Sequence, residues 1–200
     1  MGARLAGDMP CPHCRSPPCG RHFIVSYQDS YLPGPAPRGD TLHVPSPNIP
    51  KIGSRQLRKG RCSERNRIYH ITTRTLDSAP VFLNFGDGRI LVRALQRQHL
   101  DGHVETLAFV IMPDHFHWLV QLTGERSLSS CVNLVKSLAT REIHANGIYR
   151  GKVWQRGFHD RAIRREDDLI AVARYIVANP LRAGLVRSIR EYPHWFAKWV

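Results

Sequence analysis

The stretch from Val104 to Leu122 constrains this chain more than any other part of it. Val104–Met112 and His115–Leu122 are dense in apolar, β-branched and aromatic residues, the composition of strands. Only Pro113-Asp114 lies between them, a pair suited to a tight turn or bulge. In the second segment, His115 and His117 flank Phe116. Successive side chains of a strand point to opposite faces, so the two imidazoles share one face while Phe116 and Trp118 share the other. The apolar face pins the strand to a core. The opposite face presents two side chains that can hold one metal ion.

Regular patterns continue on both sides of this pair. Ile68-Tyr69-His70-Ile71-Thr72-Thr73-Arg74-Thr75 reads as a further strand. From Asn84 to about His99, Ile90, Leu91, Ala94 and Leu95 fall at helical spacing. Ser127 is placed to cap a helix carrying Leu128, Cys131, Val135 and Leu138 on one face. Trp154 to Arg164 reads as a loop entering a short strand. Glu166-Asp167-Asp168 then supplies the negative charge favoured at a helix N-terminus. That helix runs through Leu169, Val172, Ala173 and Ile176 to Asn179, where Pro180 is expected to stop it. Tyr192-Pro193-His194-Trp195 looks like a packing lid. The order strand, helix, strand, strand, helix, strand, helix predicts an α+β architecture: an antiparallel sheet with helices packed on it.

Composition changes near residue 50. Residues 1–50 hold ten of the fourteen prolines and three of the five cysteines, with little periodic apolar pattern. The expectation is a disordered Pro/Cys-containing extension over 1–55 and a folded domain over 56–200. Cys11-Pro12-His13-Cys14 offers a zinc reading, with Cys19 and His22 as further ligands, or a redox one, which needs a following helix. The Ser16-Pro17-Pro18 that follows does not frame a knuckle, so disorder is preferred. The cysteines overall read as reduced thiols, not as a disulfide framework. Net charge is +13 with a pI of about 10.2. Residues 51–200 hold 25 of the 29 Lys+Arg and 13 of the 16 Asp+Glu, so the basic character belongs to the folded part. Most of it is arginine, whose planar fork grips phosphate and stacks on bases, which suits nucleic acid better than a generic anionic surface. No run approaches the ~18–20 apolar residues of a membrane span, and no signal-peptide core is evident, so no membrane partner and a cytoplasmic, nucleoid-associated address are expected.

Tyr175 and Asn179 lie one turn apart on the last helix, on a face (Asp168, Ala171, Tyr175, Asn179) offset from the apolar stripe. Taken alone, Tyr175 reads as a packing tyrosine or as a reactive phenol at the core's edge. The run from Tyr175 to Val186 (Tyr-Ile-Val-Ala-Asn-Pro-Leu-Arg-Ala-Gly-Leu-Val) changes that balance when joined to two others, His115-Phe116-His117 and Val153-Trp154-Gln155-Arg156-Gly157-Phe158-His159. Together they resemble the REP-associated tyrosine transposases, relatives of the small insertion-sequence transposases that act on single-stranded DNA. The resemblance covers about residues 59–199.

It implies a ferredoxin-like sheet presenting a histidine–hydrophobic–histidine pair, with His115 and His117 as ligands of a divalent ion, Mg²⁺ or Mn²⁺. Tyr175 becomes the nucleophile, and Asn179 a candidate third ligand. The implied activity is metal-dependent cleavage and rejoining of single-stranded or hairpin DNA through a 5′-phosphotyrosine link, as in DNA transposition, with no small-molecule substrate. Trp154, Gln155, Arg156, Phe158, Arg161, Arg164 and Arg165 interleave aromatic and basic residues, a pattern that stacks unpaired bases and tracks phosphates. A core tryptophan beside a solvated charged face is the alternative there. Arg182 and Arg187 follow the tyrosine helix and are placed to hold the strand near the scissile phosphate. His70 reads as a structural histidine, with a place on the same site as the alternative. Two other functions fit the residues: a non-catalytic basic nucleic-acid-binding module, and a metal-dependent phosphoesterase that uses water. Monomer and homodimer are both open.

Overall fold

The structure is a computed structural model that describes residues 63–164 and 168–199. The 1–55 extension with Cys11, Cys14, Cys19 and His22, the boundary at 56, and Arg165, Glu166 and Asp167 lie outside the described residues. The elements run β1 (Ile68–Arg74), α1 (Phe85–Leu100), β2 (Val104–Ile111), β3 (His115–Leu122), α2 (Leu128–Ala145), β4 (His159–Ala162), α3 (Leu169–Val177), α4 (Asn179–Arg182) and β5 (Trp195–Ala197). The five strands form one sheet in the order β4-β1-β3-β2-β5, every pair antiparallel. The first four strands with α1 and α2 make the βαββαβ arrangement of ferredoxin-like folds.

The centre of the sheet fixes the histidine pair. Phe116, Trp118, Val120 and Leu122 alternate along β3 and are all buried. Burying each such side chain is worth about 1.5–3 kcal/mol, and a slip of one residue would turn all four toward the opposite face. Register is therefore strongly specified. Trp118 donates its indole N–H to Thr106 Oγ1 at 3.2 Å, and Phe116 meets Trp154 edge to face. On this side α1 and α2 pack against each other. The buried face of α2 is Leu128, Cys131, Val132, Val135, Ala139 and Ile143, and Leu138 lies only half-buried beside it. Ser127 caps α2 as its sequence foretells, accepting from the Ser130 N–H.

The other face of the sheet carries α3. Leu107, Ala108, Val110, Met112 and Leu119 pack with Ile163, Ala173, Ile176, Val177 and Ala197 in one cluster. Val110 of this cluster stands directly opposite His117, so the cluster borders the histidine pair. Two expectations need correction. Pro180 does not stop the helical course: α3 ends at Val177, Ala178 stays helical, and α4 begins at Asn179 with Pro180 in its first turn, where a missing N–H is tolerated. The segment Tyr192–Trp195 is more than a lid, because Trp195–Ala197 adds β5 to the edge of β2. Tyr192 Oη donates to the Ile111 carbonyl at 2.6 Å, and Ile111 N–H donates to the His194 carbonyl at 2.9 Å, which fastens this segment down. Among the described residues, no helix is long and apolar enough to cross a membrane.

Candidate functional site

His115 and His117 lie side by side on the α3 face of β3, with ring centroids 5.0 Å apart and planes nearly perpendicular. Cross-strand register decides their neighbours. Arg74 stands opposite His115 and Thr72 opposite His117 on β1, while His159 of β4 stands opposite Thr72 and Arg161 opposite His70. Residues directly opposite in an antiparallel pair share a face. The face that presents the histidines therefore also presents His70, Thr72, Arg74, His159 and Arg161.

Each imidazole is engaged at Nδ1. His115 Nδ1 is 2.6 Å from Asp114 Oδ1, and Asp114 Oδ2 accepts from Arg74 at 3.4 Å. His117 Nδ1 is 3.0 Å from Thr72 Oγ1 and 3.2 Å from His70 Nε2. Burial pulls His117 down to about 3, assisted by the charges of His115, His70, Arg74 and Arg182, so its neutral, ligand-competent form prevails at ordinary pH. Burial and the charge of Arg161 lower His70 as well. At Asp114 burial raises the carboxyl. The His115 hydrogen bond and the charges of His115 and Arg74 outweigh it, so the group sits below the usual carboxylate range.

Tyr175 stands on the outer side of α3 and is 51% exposed. The guanidinium of Arg182 lies over its ring, 4.3 Å from the centroid, a cation–π contact. The charge of Arg182 is also the weakest of the influences that lower His117. Asn179 donates through Nδ2 to the carbonyls of Ile176 (2.8 Å) and Tyr175 (3.2 Å). Ile176 O is the acceptor that a residue at 180 would serve in a continuous helix, and proline has no N–H to give. With the nitrogen so committed, Oδ1 is the free end of the carboxamide.

The residues expected to contact DNA fall into two groups. Gln155, Arg156, Arg161, Arg164 and Arg182 are exposed. Trp154 is not, and the stacking expectation is corrected. Its ring is 6% exposed, packs on Phe82 and Phe116, and its N–H reaches Lys136 O and Thr140 Oγ1, both at 3.0 Å. Phe158 is likewise buried. Asp114 and Thr72 were missed as members of the site. An acidic residue immediately before the first histidine was a readable signal for Asp114; nothing local signals Thr72. Among the described residues, no group of three histidine, cysteine or carboxylate side chains is placed to hold a metal ion. A divalent ion at this pair would complete its coordination with other oxygens.

The family model described as "Transposase IS200 like" matches residues 63–179. A REP-associated tyrosine transposase of Escherichia coli is 30% identical over 106 residues, covering 52% of this chain and 61% of that protein. A Haemophilus influenzae protein assigned to the same group is 29% identical over 100 residues, covering 45% of this chain and 57% of that one. The chain thus spans less than two thirds of either curated relative. Among solved structures, a REP-associated tyrosine transposase bound to a REP hairpin superimposes with a TM-score of 0.57 at 24% identity, covering 68% of this chain and 79% of that one, a likeness of fold. With the matched segment reaching from the residues before β1 through the histidine pair to Asn179, the chain belongs to the IS200-like transposase family.

Proposed function

We propose that this protein is a transposase that cleaves and rejoins DNA strands, acting on single-stranded or hairpin DNA through a 5′-phosphotyrosine intermediate. The observation that carries this reading is the pair His115 and His117, side by side on one sheet face with both Nδ1 atoms held by partners, in a chain of this family whose α3 carries Tyr175 beneath the Arg182 guanidinium. The names of the curated relatives, both tyrosine transposases, support the reaction class. The hairpin held by the structural neighbour supports the substrate class.

The donors fit a hard divalent ion such as Mg²⁺ or Mn²⁺. Both Nδ1 atoms are occupied by partners, which leaves Nε2 of His115 and His117 for coordination. Oδ1 of Asn179 is the oxygen proposed as third ligand, with water or phosphate oxygens completing the set. Such an ion supplies positive charge to a non-bridging phosphate oxygen, where negative charge grows in the transition state.

The rest falls to the chain itself. Tyr175 gives up its phenolic proton to solvent, which reaches the half-exposed ring. Its oxygen bonds to phosphorus, the P–O3′ bond breaks, and the departing 3′ oxygen takes up a proton. The 5′ side remains on Tyr175 as a phosphodiester, so attack by a 3′-hydroxyl reverses the step without ATP. Arg182 offsets the charge that builds at the phosphate, while Arg156, Arg161 and Arg164 hold flanking phosphates.

The test is incubation with an end-labelled hairpin oligonucleotide and Mn²⁺. A covalent protein–DNA adduct that is lost in Tyr175→Phe, in His115→Ala and on chelation supports the reading. Cleavage that survives Tyr175→Phe means that water is the nucleophile. Binding without cleavage under any metal leaves a basic nucleic-acid-binding module.

A further inference from the structure

We propose that His70 and Thr72 are positioning residues that fix His117 with its Nε2 turned outward, so that β1 sets the affinity of the site for its metal. The inference rests on reading His115 and His117 as the metal ligands, and assigns the two β1 residues a part in that site.

The two histidines are held by chemically different partners. Behind His115 stands a carboxylate, Asp114, at 2.6 Å, itself paired with Arg74. Behind His117 stand two groups without formal charge on one nitrogen: Thr72 Oγ1 at 3.0 Å and His70 Nε2 at 3.2 Å. A carboxylate behind an imidazole raises its strength as a ligand, whereas a hydroxyl or a second imidazole orients the ring with less electronic effect. His115 is thus the stronger donor. The contribution of His117 depends on where its ring is pointed.

Register makes β1 suited to this task. Thr72 sits directly opposite His117, and its β-branched side chain has few χ1 options, so its hydroxyl is delivered to Nδ1 with little freedom. His70, two residues earlier on the same face, brings its ring to 5.3 Å from that of His117, inclined at 42°. A neutral imidazole carries one N–H. When that hydrogen is on Nδ1, the Thr72 oxygen and His70 Nε2 are both acceptors within reach, and Nε2 keeps the lone pair that coordination needs. Losing these partners removes what holds Nδ1 inward, and so frees both the ring angle and the tautomer.

The experiment measures Mn²⁺ binding to the full chain by the loss of the free-ion electron paramagnetic resonance signal. It also follows the histidine ring nitrogens of the metal-free protein by ¹⁵N NMR. Thr72→Val and His70→Leu are each expected to weaken Mn²⁺ binding by about 10–100-fold, the usual effect of removing a group that supports a ligand. Thr72→Ser and His70→Gln, which keep a hydrogen-bonding end group, should bind much as wild type does. The His117 nitrogens should shift from the Nδ1–H form toward a mixture in Thr72→Val and His70→Leu, with far-ultraviolet circular dichroism unchanged. Wild-type affinity and an unchanged His117 tautomer in both variants, while His115→Ala loses Mn²⁺, overturns the proposal alone. Wild-type affinity in His115→Ala and His117→Ala overturns the metal-site reading and the proposal with it.

Discussion

Substituting aspartate for Asn179 sets two roles of one side chain against each other. In the structure, Nδ2 donates to the Ile176 carbonyl at 2.8 Å and to the Tyr175 carbonyl at 3.2 Å. Aspartate keeps the size, loses both donors and sets a negative charge against the carbonyl end of α3. A net hydrogen bond is worth about 0.5–1.5 kcal/mol, and an unfavourable charge at a helix terminus about 0.3–1 kcal/mol. The bond to Tyr175 is long and exposed, which places it at the lower end, so the sum is about 1.5–2.5 kcal/mol. In a folded unit of this size, that lowers the melting temperature by roughly 4–8 °C. Asn179→Ala loses the same two bonds without the charge and should fall between.

Metal reverses the order. A carboxylate is a stronger ligand than a carboxamide for a hard cation, so Asn179→Asp should gain more stability from Mn²⁺ than wild type does, and Asn179→Ala less. Scanning calorimetry with and without saturating Mn²⁺ reads both effects in one series. Variants that melt as wild type does in the absence of metal would refute the capping role. Equal gains from Mn²⁺ in all three proteins would refute Asn179 as a ligand.

In Gly88→Ala the new Cβ would lie 2.4 Å from His194 Cδ2 and Nε2, so α1 or the β5 segment must move, at about 1–3 kcal/mol. Gly86→Ala, with nothing within 4 Å, should instead stabilise α1 by roughly 0.5–1 kcal/mol, and urea midpoints rank the pair. Trp154→Phe removes the N–H shared by Lys136 O and Thr140 Oγ1, at about 1–3 kcal/mol, yet should leave hairpin affinity intact where both proteins are folded. Weakened binding, measured by fluorescence anisotropy, would return Trp154 to the DNA surface. Burial, helped by the charge of Arg89, holds His194 down to about 4, against 6.5 as its ordinary value. Between those values the unfolded chain binds a proton that the folded chain refuses. Stability should therefore fall as pH drops through that window and level off below it, a loss on the order of 3 kcal/mol. Urea midpoints of His194→Phe should fall less steeply; they should not become flat, because His70 and His117 are shifted in the same direction.

The parts of the fold that the sequence made legible are those whose information is local. β3 alternates buried and less buried residues with the period of a strand, and α2 opens on a serine that does cap it. β5 escaped because three residues are too few for a period, and its place beside β2 follows from Tyr192 reaching Ile111, 81 residues back. Trp154 illustrates a different limit. An aromatic residue among arginines has the composition of a stacking surface, but burial is decided by Phe82, Phe116 and α2, none of which is its neighbour in sequence. The same is true of Thr72, which becomes the partner of His117 only through the β1–β3 register.

The link between Tyr175 and Arg182 was hidden by one misjudged proline. Read as a stop, Pro180 detaches Arg182 from the tyrosine helix and leaves it free to lie anywhere. In the structure the chain stays helical through Ala178 into α4, so Arg182 comes seven residues, about two turns, after Tyr175, and the two side chains return to one face. What allows the passage is Asn179, whose amide satisfies the Ile176 carbonyl that proline leaves without its donor. Local propensity gave proline the deciding vote; a neighbouring side chain overruled it. The overruling places the arginine over the phenol, with its guanidinium 4.3 Å from the centre of the ring.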